Sequence, residues 1–182
     1  MPAEIGPSDV LEFWRGAGHE RWFKADSDLD KQVSERFSGL HKAAAAGELS
    51  AWEETAEGAL ALVIALDQFP RNMFRGTARA FSTDPMAREV SRRALARGFD
   101  REVEPAMRSF FYMPFMHSEN LADQEFCVEL FRASRDAEGI KYAEIHRDAI
   151  RRFGRSPHRN EMLGRNLSAD EVAYLDEGGF RG

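Results

Sequence analysis

Residues Ala59–Leu66 read Ala-Leu-Ala-Leu-Val-Ile-Ala-Leu and form the most apolar stretch of the chain. A helix that is apolar on every face has to be buried on every face, so this stretch predicts a central helix enclosed by other elements. Thr55 is placed to cap its start, and Pro70 is expected to interrupt it. The stretch is far shorter than the roughly 20 residues that a membrane-spanning helix needs, so no membrane partner is predicted.

Helical signals continue on both sides of this stretch. Asp84-Pro85 places a capping residue before a proline at the first helical position, and Ser168 with Glu171 has the spacing of a capping box. Apolar side chains recur at helical spacing in most other segments, and no segment alternates with period two for long enough to form a sheet. Because helices joined by short connections pack as antiparallel neighbours, the sequence predicts an all-α fold of antiparallel helix pairs without significant β-sheet.

Length and composition narrow the class of protein. The chain has 182 residues, of which 43% are hydrophobic and 31% charged, and this fits a single globular domain over residues 1–182. The net charge of -6 argues against non-specific binding to nucleic acid or to an anionic membrane. Cys127 is the one cysteine, and the first residues do not resemble a leader peptide, so we expect a cytoplasmic protein.

Common catalytic and cofactor motifs are missing from the sequence. His19-Glu20 is not followed by the second histidine of a zinc protease, and there is no glycine-rich phosphate loop and no Gly-x-Ser-x-Gly elbow. The acids at Asp26, Asp28 and Asp30 resemble a calcium loop, but the glycine and the bidentate glutamate of such a loop are absent. The sequence therefore predicts no cofactor.

Three connections between the predicted helices carry unusually polar residues beside a proline or a glycine. We refer to them as the first bend (residues 66–77), the second bend (residues 113–120) and the third bend (residues 153–165). Bends free backbone polar groups, and nearby side chains can satisfy those groups or a ligand. Residues 151–165 contain five arginines and one glutamate within an acidic protein. The candidate ligand-binding residues of the three bends are Asp67, Arg71, Asn72, His117, Glu119, Arg155, His158, Arg159 and Asn160.

The chemistry of these residues supports more than one interpretation. Arginines hold carboxylates and phosphates in bidentate fashion, so the bends could bind a small anionic ligand. A histidine beside a carboxylate can move a proton, which makes His117, His158, Asp67 and Glu119 candidate catalytic residues. The same residues could instead form a structural network of ion pairs. A metal site built from the histidines and Glu119 is not predicted, because the spacing is not diagnostic and the arginines would repel a cation.

The polar bends also carry a resemblance to a known family. The chain resembles the DUF924 family of bacterial proteins of unknown function over nearly its whole length. The segments that carry the resemblance are Val10-Leu11-x-Phe13-Trp14, Trp22-Phe23, Asp67-Gln68-Phe69-Pro70-Arg71-Asn72, Arg75-Gly76-Thr77, Asp84, His117-Ser118-Glu119, Gln124, His146, Phe153-Gly154-Arg155-x-Pro157-His158-Arg159-Asn160 and Leu163-Gly164-Arg165. The resemblance implies a TPR-like helical fold and implies no reaction. Arg15 and Ser156 stand where the family usually has aromatic residues, and the second departure would alter one wall of a pocket at the third bend.

Three hypotheses for function follow. In the first, the nine candidate residues line one cleft that binds a small anionic ligand, with acid–base chemistry where a histidine meets a carboxylate. In the second, the chain is a TPR-like module that binds a protein or peptide partner in an open groove. In the third, the bends are purely structural. The sequence predicts no nucleic-acid partner and does not indicate the oligomeric state.

Overall fold

The structure is a computed structural model that describes residues 5–181. Within these residues the fold is all-α and contains no strand, which confirms the predicted fold class. None of the helices in this range is long and apolar enough to cross a membrane. The α-helices are α1 Pro7–Ala17, α2 His19–Trp22, α3 Ser27–Ala45, α4 Ala56–Val63, α5 Phe69–Met73, α6 Asp84–Ala96, α7 Pro105–Met116, α8 Leu121–Ser134, α9 Ala137–Phe153 and α10 Ala169–Asp176.

Shorter helical turns connect several of these helices. A π-helical turn, Ile64–Gln68, lies between α4 and α5, and 3₁₀ turns lie at Ser50–Glu54, Ala78–Phe81, Phe99–Arg101 and Pro157–Arg159. The chain divides into two compact units. Unit one ends at Pro114, and unit two begins at Phe115.

The central helix of unit one is the apolar stretch that the sequence singled out. Every residue of Ala59–Leu66 is buried, and Thr55 caps α4 by accepting a hydrogen bond from the amide of Gly58. Aromatic residues surround the continuation of this helix, with the rings of Phe37 and Phe69 stacked at 4.7 Å between centroids. Burial of this stretch on all sides is what its composition requires.

The expectation that Pro70 interrupts this helix is wrong. The helical path continues through the π-helical turn into α5, which includes Pro70. A proline has no amide to donate to the carbonyl four residues earlier, which here is that of Leu66. The hydroxyl of Thr83 donates to that carbonyl instead. At the π-helical turn, the amide of Phe69 donates to the carbonyl of Ile64 five residues back, so the backbone passes the proline without leaving the helix.

Unit two contains an antiparallel helix pair, α8 and α9, with only two residues between them. Arg132 pairs with Glu144 near the connection, and Arg151 pairs with Glu125 far from it. Residue numbers therefore rise on one helix as they fall on the other, as in an antiparallel hairpin. Gly139 permits the close approach, because a side-chain carbon at that position would lie 2.1 Å from the ring of Phe131.

Candidate functional site

The first bend lies in unit one, where Arg71 joins two buried carboxylates. Its guanidinium donates to both carboxylate oxygens of Asp84 at 2.8 and 2.9 Å, and it lies 3.5 Å from the carboxylate of Asp67. Asp67 is 0% exposed and Asp84 is 4% exposed. Burial alone would lower the pKa of Arg71, but the two carboxylates raise it overall. Arg71 is therefore held as a cation between these two acids.

A second ion pair ties the same bend to helix α3. Arg75 donates to both oxygens of Asp30 at 2.7 and 2.8 Å, and the side-chain amide of Asn72 donates to Asp30 at 2.8 Å. Burial pushes the pKa of Asp30 up, but the hydrogen bonds from Arg75 and Asn72 outweigh this effect and lower it. The candidate residues of the first bend thus connect α5 to α3 and to α6.

The second and third bends meet in unit two at the carboxylate of Glu119. Arg165 donates to its two oxygens at 2.8 Å each, and the amide of Ser156 donates to one of them at 2.8 Å. Arg165 also donates to the side-chain oxygen of Asn160. Burial raises the pKa of Glu119, but these donors and the charge of Arg159 lower it overall. A guanidinium and a backbone amide together form a carboxylate clamp.

Arg155 makes a separate bidentate pair with Glu171 at the start of α10. The two bonds measure 2.6 and 2.7 Å. Glu171 completes the predicted capping box by accepting from the amide of Ser168, whose hydroxyl accepts from the amide of Glu171. The hydrogen bond from Arg155 is the largest cause that lowers the pKa of Glu171 to about 2. The candidate Arg155 therefore fixes α10 to the third bend.

Two of the three histidines of unit two, His146 and His158, lie beside the aromatic residue Phe180. The ring of Phe180 is 4.2 Å from that of His146 and 5.1 Å from that of His158, measured between centroids. Nδ1 of His146 carries the proton, because its partner at 2.8 Å is the carbonyl of Tyr142, which can only accept. The cavity beside these rings measures about 10 Å³, which is room for about one water molecule.

The remaining candidates occupy the interior and the edge of unit two. Arg159 and Asn160 are buried, at 6% and 0% exposure. His117 is half-buried and directly follows α7. Within residues 5–181 no three or more histidine, cysteine, aspartate or glutamate side chains gather in a way that could hold a metal ion.

Unit one also contains a groove that the sequence did not predict. The groove has a volume of about 340 Å³, within the range of about 300–1,000 Å³ that is typical of ligand sites. One wall is helix α6, and the other is formed by the end of α3 and the 3₁₀ turn after it. The residues that line the groove are Ala44, Gly47, Leu49, Ser50, Glu53, Leu62, Leu66, Pro85, Met86, Glu89, Val90 and Arg93.

Charged residues stand at the edge of this groove above an apolar floor. Arg93 donates to both oxygens of Glu53 at 2.7 and 2.9 Å, and Arg97 donates to the carbonyl of the same glutamate. These bonds hold the 3₁₀ turn against α6. Glu89 has a side chain that is 61% exposed, with Arg92 at 3.8 Å. The spacing of Met86, Glu89 and Arg93 along α6 resembles an ordinary helix surface, so no sequence signal marks the groove.

A protein family and a solved structure are similar to this chain. The family described as "Bacterial protein of unknown function (DUF924)" matches residues 10–179. A solved structure of a protein of unknown function from Agrobacterium tumefaciens is 45% identical to this chain, with a TM-score of 0.91. The match covers 94% of this chain and 97% of that one. No curated protein matches the chain.

Proposed function

We propose that this chain, which belongs to the DUF924 family of bacterial proteins of unknown function, is a binding protein whose ligand occupies the groove of unit one. The observation that carries the proposal is the apolar groove of about 340 Å³. By contrast, the cavity beside His146 and His158 has room for about one water. An open groove is also what the hypothesis of a peptide-binding module predicts.

The groove is a better candidate binding site than the polar bends, because the arginines of the bends are already paired. Arg71, Arg155 and Arg165 each hold a carboxylate of the chain in bidentate fashion. An added anion has to displace that carboxylate, which is attached to the same chain and therefore present at high effective concentration. An apolar group that enters the groove displaces only water. Burying two leucine-sized side chains contributes about 3–6 kcal/mol before the costs of association.

A neutral solvatochromic dye, Nile red, tests the proposal directly. We expect its fluorescence to rise and shift to the blue with the wild-type protein and to remain unchanged with Met86→Glu. Met86 lines the groove in the first turn of α6, where an acid is tolerated by the helix dipole. Leu167→Glu is the matched control, because Leu167 is an exposed apolar residue of unit two. An unchanged dye signal in Met86→Glu, or none in the wild type, would contradict the proposal.

A small anionic ligand at the clamp of the second and third bends is the second candidate function. The supporting observation is that Arg165 and the amide of Ser156 already bind a carboxylate at a partly exposed position, with Arg165 and Glu119 side chains 25% and 30% exposed. Citrate and phosphate would then raise the melting temperature. Glu119→Gln should increase that shift, because the competing charge is removed, and Arg165→Ala should abolish it. Equal shifts in melting temperature for the wild type, Glu119→Gln and Arg165→Ala would contradict this second candidate function.

The catalytic part of that second candidate stays a prediction. It requires His117 or His158 to exchange a proton with Asp67 or Glu119. Glu119 accepts from Arg165 and from Ser156, and these donors favour its charged form. A carboxylate held in this way is a weak base, so the geometry supports binding at the clamp better than proton transfer by Glu119.

A further inference from the structure

The α6 wall of the groove has the dimensions of a helix-binding surface. Met86, Glu89, Val90 and Arg93 line the groove and are spaced i, i+3, i+4 and i+7. At a rise of 1.5 Å per residue this wall is about 10 Å long, the length of two helical turns. A cavity of about 150 Å³ accepts one benzene ring, so about 340 Å³ has room for two or three apolar side chains from one helix face.

Other common ways of binding a peptide do not fit this groove. Addition of a strand needs an exposed sheet edge, and the described part of the chain has no strand. Proline-rich segments dock into grooves lined by aromatic residues, and none of the groove's lining residues is aromatic. An apolar groove with a flexible methionine in its wall is typical of sites that accept the apolar face of an amphipathic helix.

The charges at the edge of the groove favour a basic partner. Arg93 and Glu53 neutralise each other through two hydrogen bonds. Glu89 is exposed, with Arg92 at 3.8 Å and with Arg93 near enough for the two charges to interact. A lysine or arginine next to the apolar face of the partner can therefore pair with Glu89. The net charge of -6 favours the approach of such a partner over long distances.

From these observations we infer that the groove of unit one binds a short amphipathic helix of a partner protein, with a basic side chain placed beside Glu89. The inference rests on the proposed function, because it names the ligand class of the same groove. Apolar side chains of the partner helix contact Leu49 and Met86, which are partly exposed lining residues of the groove, and its basic side chain lies at the exposed edge of α6.

Two synthetic peptides of about 16 residues, long enough to form helix, test this inference. Both have leucines at i, i+3, i+4 and i+7; one has lysines beside the leucine ridge and the other has glutamates there. We expect the lysine peptide to displace Nile red from the wild type, with an affinity about tenfold higher than that of the glutamate peptide. Glu89→Gln should weaken the lysine peptide about threefold and reduce the difference between the peptides. Glu129→Gln, an exposed glutamate of unit two, is the control and should change neither.

The outcomes separate this inference from the proposed function. If Nile red binds and Met86→Glu removes it, but neither peptide displaces the dye, the helix inference is overturned and the groove remains a binding site. Equal affinity for both peptides, or no effect of Glu89→Gln on the affinity of the lysine peptide, contradicts the inference that the partner helix is basic. If neither the dye nor a peptide binds the wild type, the proposed function fails as well.

Discussion

The hydroxyl of Thr83 donates a hydrogen bond to the carbonyl of Leu66, four residues before Pro70. This bond gives the carbonyl of Leu66 a hydrogen-bond donor, which Pro70 cannot provide because it has no amide N–H. It also joins the floor of the groove, to which Leu66 contributes, to the residue immediately before α6, which forms one wall. The same contact therefore keeps the central helix continuous and fixes the geometry of the proposed binding site.

Replacing Thr83 by valine should destabilise unit one. The change keeps the shape of the side chain but leaves the buried carbonyl of Leu66 without this donor, which costs about 1–3 kcal/mol. Thr77→Val is the matched control, because the hydroxyl of Thr77 donates to the carbonyl of Phe74 at an exposed position, and we expect less than about 0.5 kcal/mol there. Urea unfolding of the two variants measures the difference, and equal losses would contradict this role of Thr83.

Replacing Arg71 by methionine should be strongly destabilising. Asp67 and Asp84 would keep their buried positions without the cation that lies between them, and removing one partner of a buried ion pair costs about 3–5 kcal/mol. Arg75→Met offers the comparison, because its side chain is 45% exposed and an exposed pair contributes about 0–1 kcal/mol. Similar unfolding free energies for both variants would show that the buried cluster does not stabilise unit one.

Glu171 should make stability depend on pH in the acidic range. Its pKa is about 2 in the folded protein against an ordinary 4.5. A lowered folded-state pKa stabilises the fold above pH 4.5, and this contribution is lost as the pH falls from about 4.5 to about 2. Unfolding free energies at several pH values should therefore show the wild type and Glu171→Gln converging in this window. If the unfolding free energies of Glu171→Gln instead stay parallel to those of the wild type across this window, the Arg155–Glu171 pair does not act in this way.

Two glycines in helices should respond to alanine in opposite directions. A side-chain carbon on Gly58 would lie 2.1 Å from the carbonyl oxygen of Trp52 in the 3₁₀ turn, so Gly58→Ala has to push this turn away and should cost about 1–3 kcal/mol. Gly39 in α3 has nothing within 4 Å of that position, and Gly39→Ala should stabilise by about 0.5–1 kcal/mol. Thermal melts of both variants check this, and a neutral Gly58→Ala would contradict the close packing of the turn on α4.

The sequence predicted much of the local structure, because caps and apolar spacing act between neighbouring residues. The buried helix at Ala59–Leu66 and the capping box at Ser168 follow from such signals. Pro70 was misjudged because the group that compensates for it, Thr83, is distant along the chain and carries no local signal. The TPR-like assignment stays a prediction.

The site was harder to predict than the helices. Residue types left open whether Arg71 binds an anionic ligand or pairs with an acid of the chain, and Arg165 was not among the candidate residues. That Arg71 pairs with Asp84 and Arg165 with Glu119 could not be predicted, since pairing across 13 and 46 residues depends on tertiary packing. No pattern in the sequence indicated the groove. Leu62 and Leu66 belong to a stretch whose composition predicts burial on every face. The groove beside them arises from the way α6 and the turn after α3 pack against this stretch.

The most direct test of the groove as the binding site is a titration of the methyl-labelled protein with Nile red and with the lysine peptide, followed by NMR. We expect concentration-dependent shifts of the methyl signals of Leu49, Leu62, Leu66 and Val90, with Leu167 and Val172 of unit two unchanged. Met86→Glu should abolish those shifts while its spectrum remains that of a folded protein. Shifts that fall elsewhere and leave these four residues unaffected would contradict the assignment of the groove as the binding site.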